Sequence, residues 1–429
     1  MTLITQTKPT RPTKVIQFGG GVFLRGFFDW MLQKANDAGV FCGNTVIVRS
    51  RTAGIDPLAA QNFNYTHLSR DGKHSDITLI DCIAGSVNAA QSYEEFLALA
   101  ENPDTDVIVS NTTESGIEYT PCPRPDSVCP ESFPAKLTAL LYRRYTCGLG
   151  GMLIIPCELI VDNGDVLCDI VLRHAADWAL EKDFIRFVRD DCSFRNTLVD
   201  RIVSGTPSDP VALGYRDDCL NASEYFHLFV IEGEEDPRLP LRQAGINLLW
   251  VPSASDYRTI KVRILNAAHT SMVPLALLCG VETVGECLKN DPIRTHLSGC
   301  LSEIVDSLDL DRSVTTAYAK DVLERFANPY IHHKCQAIAL NSISKFRVRI
   351  LPSILAYEKK FGRTPPHLMR AWGKLIAFYK HGTPNDDPVI IAKLRDASVR
   401  EILADVTLWE QDVSRFTDEV EHDADPSKG

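Results

Sequence analysis

A strand, a run of three glycines, a helix and a second strand open the chain, and this order limits the folds available to it. Residues 14–18 (KVIQF) have the composition of a buried strand, residues 19–21 are glycines, and apolar residues recur with helical spacing over 22–38. Residues 44–48 (NTVIV) predict a second strand. A glycine turn between a strand and a helix lets the backbone approach a pyrophosphate group. The N-terminal part is therefore predicted to be a Rossmann-type dinucleotide-binding domain.

A change of pattern near residue 257 predicts the domain organisation. Before it strands and helices alternate, and after it the spacing is helical until about residue 417, from where the acidic, polar end is expected to fray. We expect an α/β fold with a Rossmann-type NAD-binding domain over 1–256 and a mainly α-helical substrate-binding and catalytic domain over 257–429. Further strands are predicted at 77–82, 106–110, 152–156, 226–231 and 247–251, and later helices at 291–308, 312–325, 342–357, 366–379 and 387–408.

Composition and charge argue against several classes of protein. The 429 residues are 45% hydrophobic and 24% charged, as in an ordinary globular protein. The net charge of −11 argues against a nucleic-acid partner, because phosphate binding requires clustered Lys and Arg. No apolar run is long enough for a membrane span, and the first residues lack a signal-peptide core. The 13 cysteines are scattered, which favours reduced thiols in the cytoplasm and argues against a metal site. The sequence does not predict the oligomeric state.

Residues of the glycine turn and of the second strand are candidates for cofactor binding. Gly19 and Gly21 match the first two glycines of G-x-G-x-x-G, and Arg25 in the first helical turn is expected to pair with a phosphate. The second strand ends at Arg49, with no acidic residue to bind the ribose hydroxyls. Arg49 would accept the 2′-phosphate of NADP or stack on the adenine of NAD, and the sequence leaves both cofactors open.

A polar turn follows the predicted strand at 106–110. Residues 111–116 (NTTESG) lie at the carboxyl end of that strand, where parallel sheets bind their ligands. Such residues also cap helices. The ligand-binding interpretation is favoured, and it makes Asn111, Thr112 and Glu114 candidates for cofactor contacts.

Three polar residues, Lys261, Asn266 and His269, interrupt a segment that is otherwise apolar. On an α-helix Asn266 would lie about 140° and His269 about 80° from Lys261, so all three would share one half of the surface. Burying such groups costs several kcal/mol unless they are paired or functional. A carbonyl oxygen that gains negative charge during reduction is a ligand that this set fits.

A second interpretation of the same lysine uses Tyr257. Tyr257 and Lys261 have the Tyr-x-x-x-Lys spacing of short-chain dehydrogenases, in which the tyrosine is the acid/base. Those chains end with further strand–helix units, whereas here the remaining residues have helical spacing. Tyr257 is therefore expected to be a packing residue.

Several motifs occur together in the order of a known family. Besides the three polar residues of the Lys261 segment, they are GxGxFxR at 19–25, NTTESG at 111–116, CELIVDNG at 157–164 and LVDRI at 198–202. The set resembles the mannitol dehydrogenase family of polyol-specific long-chain dehydrogenases. Further segments, at 110–117, 155–160, 197–203, 328–332 and 345–352, are similar to the members that reduce a keto-hexuronate such as tagaturonate.

The resemblance implies a metal-independent, NAD-linked reduction of a small-molecule keto-sugar acid. Lys261 would be the general acid/base, Asn266 would bind the developing alkoxide and His269 would hold the substrate. Leu159 stands where mannitol-type members carry an asparagine, so a second oxyanion donor is missing unless Asn163 replaces it. Arg258 likewise stands in place of a glutamate. The remaining candidates are Asp200, Asn163, Glu158, Arg201, His332 and Lys345 for the substrate, and Gly19, Gly21, Phe23, Arg25, Arg49, Asn111, Thr112 and Glu114 for the cofactor.

A hexuronate also carries a carboxylate, for which arginine is a frequent partner. The sequence does not choose among the basic candidates, which are Arg201, Arg263, Arg349, Lys345, His332 and His333. Fructuronate reductase and mannitol or arabinitol dehydrogenase remain alternatives within the family. An inactive cofactor-binding sensor is the alternative from a different class, and the intact Lys261 motif argues against it.

Overall fold

The computed structural model describes residues 3–4, 7–49, 56–112, 116–207, 209 and 211–424. By their contacts the residues separate into two compact units, Met1–Ala254 and Ser255–Gly429. The strands lie in the first unit, and the described part of the second unit is built from helices.

The first unit combines strands and helices. Its described strands are β1 (Thr13–Phe18), β2 (Asn44–Arg49), β3 (Tyr65–Arg70), β4 (Ser75–Ile80), β5 (Ile83–Asn88), β6 (Val107–Ser110), β7 (Leu153–Pro156), β8 (Ser193–Phe194), β9 (Thr197–Asp200), β10 (Val203–Gly205), β11 (Asn221–Ser223), β12 (Leu228–Glu232) and β13 (Leu248–Val251). Its described α-helices are α1 (Val22–Gly26), α2 (Phe28–Asp37), α3 (Pro57–Ala60), α4 (Tyr93–Ala98), α5 (Phe133–Thr146), α6 (Asn163–Asp177) and α7 (Lys182–Arg186).

A parallel six-stranded sheet, in the order β5-β2-β1-β6-β7-β8, organises the first unit. Alternate residues of β6 and β7 enter two separate cores, so that both faces of the sheet are covered and the strands are apolar throughout. Ser110 at the end of β6 lies opposite Phe18 of β1 and Pro156 of β7. The turns after these strands therefore meet at one edge, and the predicted Rossmann-type fold is confirmed.

The helix predicted over 22–38 is two helices, with a break at Phe27. Gly26 ends α1, and a Cβ atom there would lie 2.8 Å from Cγ1 of Val203 in β10. Glycine thus permits the close approach of α1 to a strand outside the main sheet.

Two smaller sheets, β10-β11-β3-β4 and β13-β12-β9, complete the first unit. β3 (YTHLSR) was not predicted, because its residues are mostly polar. In the fold the strand is nevertheless buried along its whole length. The strand predicted at 77–82 is displaced, since β4 ends at Ile80 and β5 begins at Ile83.

The helix α9 (Ala267–Leu278) lies at the centre of the second unit. It is apolar on all sides, as expected for a helix surrounded by others, and it contacts α11 and α16 among its neighbours. The other α-helices of this unit in the described chain are α8 (Ser255–Ile260), α10 (Val284–Lys289), α11 (Asp291–Ser307), α12 (Arg312–Phe326), α13 (Cys335–Ile338), α14 (Ser342–Arg349), α15 (Leu351–Phe361), α16 (Pro366–His381), α17 (Pro388–Asp396), α18 (Val399–Ala404), α19 (Val406–Trp409) and α20 (Thr417–Glu421).

The C-terminal segment differs from its prediction. Residues 417–421 form α20 instead of fraying, because Val420 is buried against α16. The helix predicted over 387–408 is three helices, divided where Ser398 and Asp405 cap new starts. No helix in the described chain is long and apolar enough to cross a membrane.

Candidate functional site

A cavity of about 670 Å³ lies at the carboxyl edge of the parallel sheet. Its volume is within the range of small-molecule sites. Five predicted cofactor residues line it, namely Gly19, Gly21, Arg49, Asn111 and Thr112. The other lining residues are Phe18, Gly20, Ile47, Val48, Asp56, Pro57, Leu58, Gly116, Glu118, Thr120, Glu131, Ser132, Phe133 and Lys136.

The two glycines of the predicted motif have different tasks. Gly19 has φ +108°, and a Cβ atom there would lie 2.7 Å from the carbonyl oxygen of Asn111. It therefore lets β1 turn tightly against the end of β6. At Gly21 a Cβ atom would meet nothing within 4 Å. The backbone around Gly21 is thus open to a ligand, which fits a dinucleotide phosphate.

Asp56 also lines the cavity, although the sequence motifs did not predict it. Its Oδ1 accepts a hydrogen bond from Leu58 N (3.0 Å) and its Oδ2 accepts one from the Ser86 hydroxyl (2.8 Å). Nη1 of Arg49 lies 3.8 Å from Oδ2. The cavity therefore contains an acidic group although β2 ends without one. The Asp-Pro pair that starts α3 was the available signal, since Asp before Pro favours a helix start.

Glu158 holds the end of β6 and the residues just after it, at Ser110 and Thr112. Its carboxylate accepts hydrogen bonds from the Ser110 hydroxyl (2.9 Å), the Thr112 amide (2.9 Å) and the Thr112 hydroxyl (3.0 Å). Burial raises the pKa of Glu158, and these bonds oppose the rise. Glu158, for which substrate binding was predicted, thus supports the cavity wall at Thr112. Glu114 lies outside the described residues.

Phe23 and Arg25, for which cofactor contacts were predicted, are not among the residues that line this cavity. Nη1 of Arg25 donates to the Cys219 carbonyl oxygen (2.9 Å), and the guanidinium lies 5.4 Å from the centre of the Tyr65 ring. The Phe23 ring stacks on Phe27 at 5.1 Å. Both side chains therefore pack α1 against the rest of the first unit.

Arg201 is also a structural residue. Its three nitrogens donate to the Gly26 carbonyl (2.7 Å), the Ser69 hydroxyl (2.6 Å) and the Glu224 carbonyl (3.1 Å). Its guanidinium lies 4.1 Å from the centre of the Trp30 ring. Burial lowers the pKa of Arg201 to about 9. These bonds join Arg201 to α1 at Gly26 and to β3 at Ser69.

Asn163 does not supply the missing oxyanion donor. It is 0% exposed, and its Nδ2 donates to the carbonyls of Pro156 and Glu158 (both 3.0 Å) and to Oγ1 of Thr197 (3.1 Å). Its Oδ1 accepts from Thr197 N (2.9 Å). Asn163 therefore joins the start of α6 to β9, whose last residue is the predicted substrate ligand Asp200, itself buried.

In the second unit, Lys261 and Asn266 are the first and last residues of a π-helix between α8 and α9. The α-helical spacing of about 140° between them was therefore wrong. In a π-helix the N–H of residue i+5 bonds to the carbonyl of residue i, so Asn266 lies about one turn beyond Lys261 on the same face. Such turns are frequent at functional sites.

His269 follows on α9 and is 8% exposed. Its ring stacks on Phe326 at 4.2 Å and meets His333 edge-on at 5.2 Å. Its Nε2 is buried and has no hydrogen-bond partner among the described residues. His332, the neighbour predicted to bind substrate, is exposed to solvent. The histidine beside His269 is thus His333.

The surroundings of His269 are basic. Burial lowers its pKa well below the usual range, and the charges of His333, Arg349, Arg325 and Lys345 lower it further. His269 is therefore neutral at physiological pH. Lys345 also donates from Nζ to the Ile338 carbonyl (2.9 Å).

Arg263, another basic candidate, has its own partner. Its Nε and Nη2 donate to the Ser353 hydroxyl at 2.8 and 2.6 Å. Burial lowers its pKa to about 10. Within the described chain, no group of three His, Cys, Asp or Glu side chains is arranged to hold a metal ion.

Two family models match the chain almost end to end. The model of the mannitol dehydrogenase Rossmann domain matches residues 13–242, and that of the mannitol dehydrogenase C-terminal domain matches residues 254–425. An altronate oxidoreductase of Klebsiella pneumoniae is 39% identical over 96% of this chain and 92% of its own. One from Halalkalibacterium halodurans is 39% identical over 90% of this chain and 79% of its own.

Solved structures have a similar fold at lower identity. D-sorbitol dehydrogenase in its substrate-free form is 18% identical, with a TM-score of 0.80 over 96% of this chain and 92% of its own. Pseudomonas fluorescens mannitol 2-dehydrogenase, in complex with NAD and D-mannitol, is 18% identical, with a TM-score of 0.74 over 98% and 92%.

Proposed function

Because the chain belongs to the mannitol dehydrogenase family, we propose that it is an altronate oxidoreductase, which reduces the ketone of tagaturonate to altronate with NADH. The observation that carries this proposal is the agreement among relatives. Proteins named altronate oxidoreductase are 39–42% identical to this chain over 86–96% of its length. The fold alone would also fit a sorbitol or a mannitol dehydrogenase.

NAD is the proposed cofactor, in preference to NADP. The carboxylate of Asp56 would accept hydrogen bonds from ribose hydroxyls and would repel a 2′-phosphate. The backbone at residues 19–21 would hold the pyrophosphate, and Asn111 and Thr112 would line the site. When bound, the dinucleotide supplies the hydride.

Lys261, Asn266 and His269 are proposed to act on the substrate oxygen atoms. Lys261 would protonate the oxygen of the ketone as negative charge develops on it. The Asn266 amide would donate a hydrogen bond to the same oxygen, a contribution of about 3 kcal/mol. Neutral His269, through Nε2, would bind a substrate hydroxyl. In the oxidation of altronate the amine of Lys261 must be neutral to accept the proton of the alcohol. The rate of oxidation should therefore rise with pH.

The proposal also covers location. All thirteen cysteines are described and all are free thiols, which favours a reducing compartment such as the cytoplasm.

A substrate screen tests the proposed function. The purified protein would be assayed with NADH and NADPH against tagaturonate, fructuronate and fructose. The highest kcat/KM is expected for tagaturonate with NADH. A preference for fructuronate or fructose would overturn the proposed substrate. No turnover with any pair would favour a cofactor-binding sensor instead.

A further inference from the structure

A concentration of positive charge surrounds His269 in a chain whose net charge is −11. Arg349 and Lys345 lie on α14, which packs against α9, and Arg325 lies beside Phe326, whose ring stacks on His269. Nε2 of His269 is buried there without a partner among the described residues. A buried unpaired polar atom within a basic cluster is an arrangement that suits a polar, negatively charged ligand.

Arg349 is connected to the residues proposed for catalysis by two hydrogen bonds. Its Nη1 donates to Oγ1 of Thr270 (3.3 Å), and Oγ1 of Thr270 donates to the Asn266 carbonyl (2.9 Å). Thr270 lies four residues beyond Asn266, about one helical turn. The guanidinium of Arg349, on α14, therefore contacts α9 at Thr270, about one turn beyond the proposed oxyanion donor Asn266.

Of the basic candidates, Arg349 has the most suitable position. Arg201 and Arg263 are engaged with internal groups, and His332 is exposed. Arg349 is half-buried, so a ligand can reach it while solvent screening is reduced. Nη1 of Arg349 is hydrogen-bonded to Thr270 on the helix that carries His269, so the guanidinium lies beside the residues proposed to bind the substrate.

We propose that Arg349, assisted by Lys345, binds the carboxylate of the hexuronate substrate, and that Thr270 positions the guanidinium. This inference rests on the proposed function. It gives the enzyme a means of preferring a sugar acid to the neutral ketose of the same length. Arg349 is thus a specificity residue, and Thr270 is a positioning residue that acts through it.

The test compares an acidic and a neutral substrate in the variant Arg349→Gln. The kcat/KM for tagaturonate should fall roughly 10- to 100-fold, as for loss of a hydrogen bond to a charged group. The kcat/KM for tagatose, which has a hydroxymethyl group in place of the carboxylate, should stay the same or rise. The inhibition constant of the product altronate should rise by a factor similar to the fall in kcat/KM for tagaturonate. This gives a second measurement if tagatose is a poor substrate.

Arg347→Gln is the matched control on the same helix. Nη1 of Arg347 lies 3.4 Å from the Glu410 carboxylate and 3.5 Å from the Leu408 carbonyl, not at Thr270. This variant should keep the wild-type ratio of kcat/KM for tagaturonate to kcat/KM for tagatose.

The positioning role of Thr270 has its own test. Thr270→Val should raise KM for tagaturonate more than it lowers kcat, and Thr270→Ser should restore KM because it keeps the hydroxyl.

The outcomes separate this inference from the proposed function. If the wild type prefers tagaturonate but Arg349→Gln weakens acidic and neutral ligands equally, the carboxylate contact is wrong and the function stands. A wild type that prefers a neutral ketose overturns the proposed function itself.

Discussion

At the scale of single residues, Asp56 combines a structural and a proposed ligand-binding task. Its Oδ1 caps α3 and its Oδ2 accepts a hydrogen bond from the Ser86 hydroxyl, while the side chain lines the cavity. Asp56→Asn keeps an oxygen for the cap but removes the charge. The ratio of kcat/KM for NADPH to that for NADH should rise by about tenfold, which corresponds to ~1.4 kcal/mol. Asp76→Asn, which changes an acid paired with Lys34 outside the cavity lining, should leave the ratio unchanged.

Lys261 is the residue on which the proposed proton transfer depends. Lys261→Ala should lower kcat by about 10²- to 10⁴-fold, the usual contribution of a general acid or base. It should also remove the rise of altronate oxidation with pH, which pH–rate profiles would measure. Lys289→Ala, at an exposed lysine of the same unit, serves as the control. Near-normal turnover by Lys261→Ala would exclude the lysine as the acid/base.

The sequence identified polar residues near the motifs. It did not show whether their donors and acceptors are already hydrogen-bonded within the protein. Asn163 and Arg201 have the chemistry of ligand-binding residues, yet the structure satisfies them internally. Asp56 was missed for the opposite reason, since it lies outside the strand and turn motifs in the sequence and nevertheless lines the cavity. Such facts depend on tertiary contacts that residue type and spacing do not contain.

At the scale of elements, β1, β3 and α2 meet at a buried carboxyl group. Asp29 of α2 is 0% exposed, and its Oδ2 lies 3.2 Å from the Tyr65 hydroxyl and 3.5 Å from Nε2 of Gln17. The same Gln17 nitrogen donates to the Gly19 carbonyl (3.0 Å). Burial raises the pKa of Asp29 from 3.8 to about 7, and the bonds from Gln17 and Tyr65 oppose the rise.

The variant Asp29→Asn tests this elevated pKa. Between pH 3.8 and about 7 the folded protein holds a proton that the unfolded chain releases, so this group lowers the free energy of unfolding as pH rises through that range. Asparagine has no such proton. The Tm of Asp29→Asn relative to wild type should therefore increase from about pH 5 to about pH 8. With Asp104→Asn, at an exposed carboxylate, the difference should stay flat.

Elements with a simple apolar pattern were predicted well, and elements with a mixed pattern were not. β1, β2, β6 and β7 are short apolar runs, as a parallel sheet covered on both faces requires. β3 has the same burial but polar residues, so its position depends on partners distant in sequence. The π-helix escaped prediction because apolar spacing over six residues does not distinguish it from an α-helix.

At the scale of the whole molecule, both units contain histidines that burial keeps neutral. Burial lowers the pKa of His227 in the first unit and of His296 in the second to about 4, and lowers those of His67 and His269 well below their usual range. As the pH falls below 6.5, these histidines become protonated in the unfolded chain but stay neutral in the folded protein. Each such histidine therefore lowers the free energy of unfolding in acid.

His296→Gln isolates one of these contributions. Each buried histidine should cost about 1.4 kcal/mol per pH unit between pH 6.5 and about 4. Denaturant unfolding of the variant should therefore give a shallower loss of stability below pH 6.5 than the wild type does. Parallel profiles for the two proteins would contradict the assignment, since all other titrating groups are shared.

The π-helix makes chain length, as well as residue identity, a constraint on the second unit. A π-turn contains one residue more than the α-turn it replaces. Removing any one residue between Lys261 and Asn266 would let the segment relax into an α-helix. That change would also rotate Lys261 by about 100° relative to α9, which carries His269. Descendants of this gene are thus free to exchange Val262 or Leu265 for similar residues, but a one-codon deletion there would cost activity while leaving a folded protein.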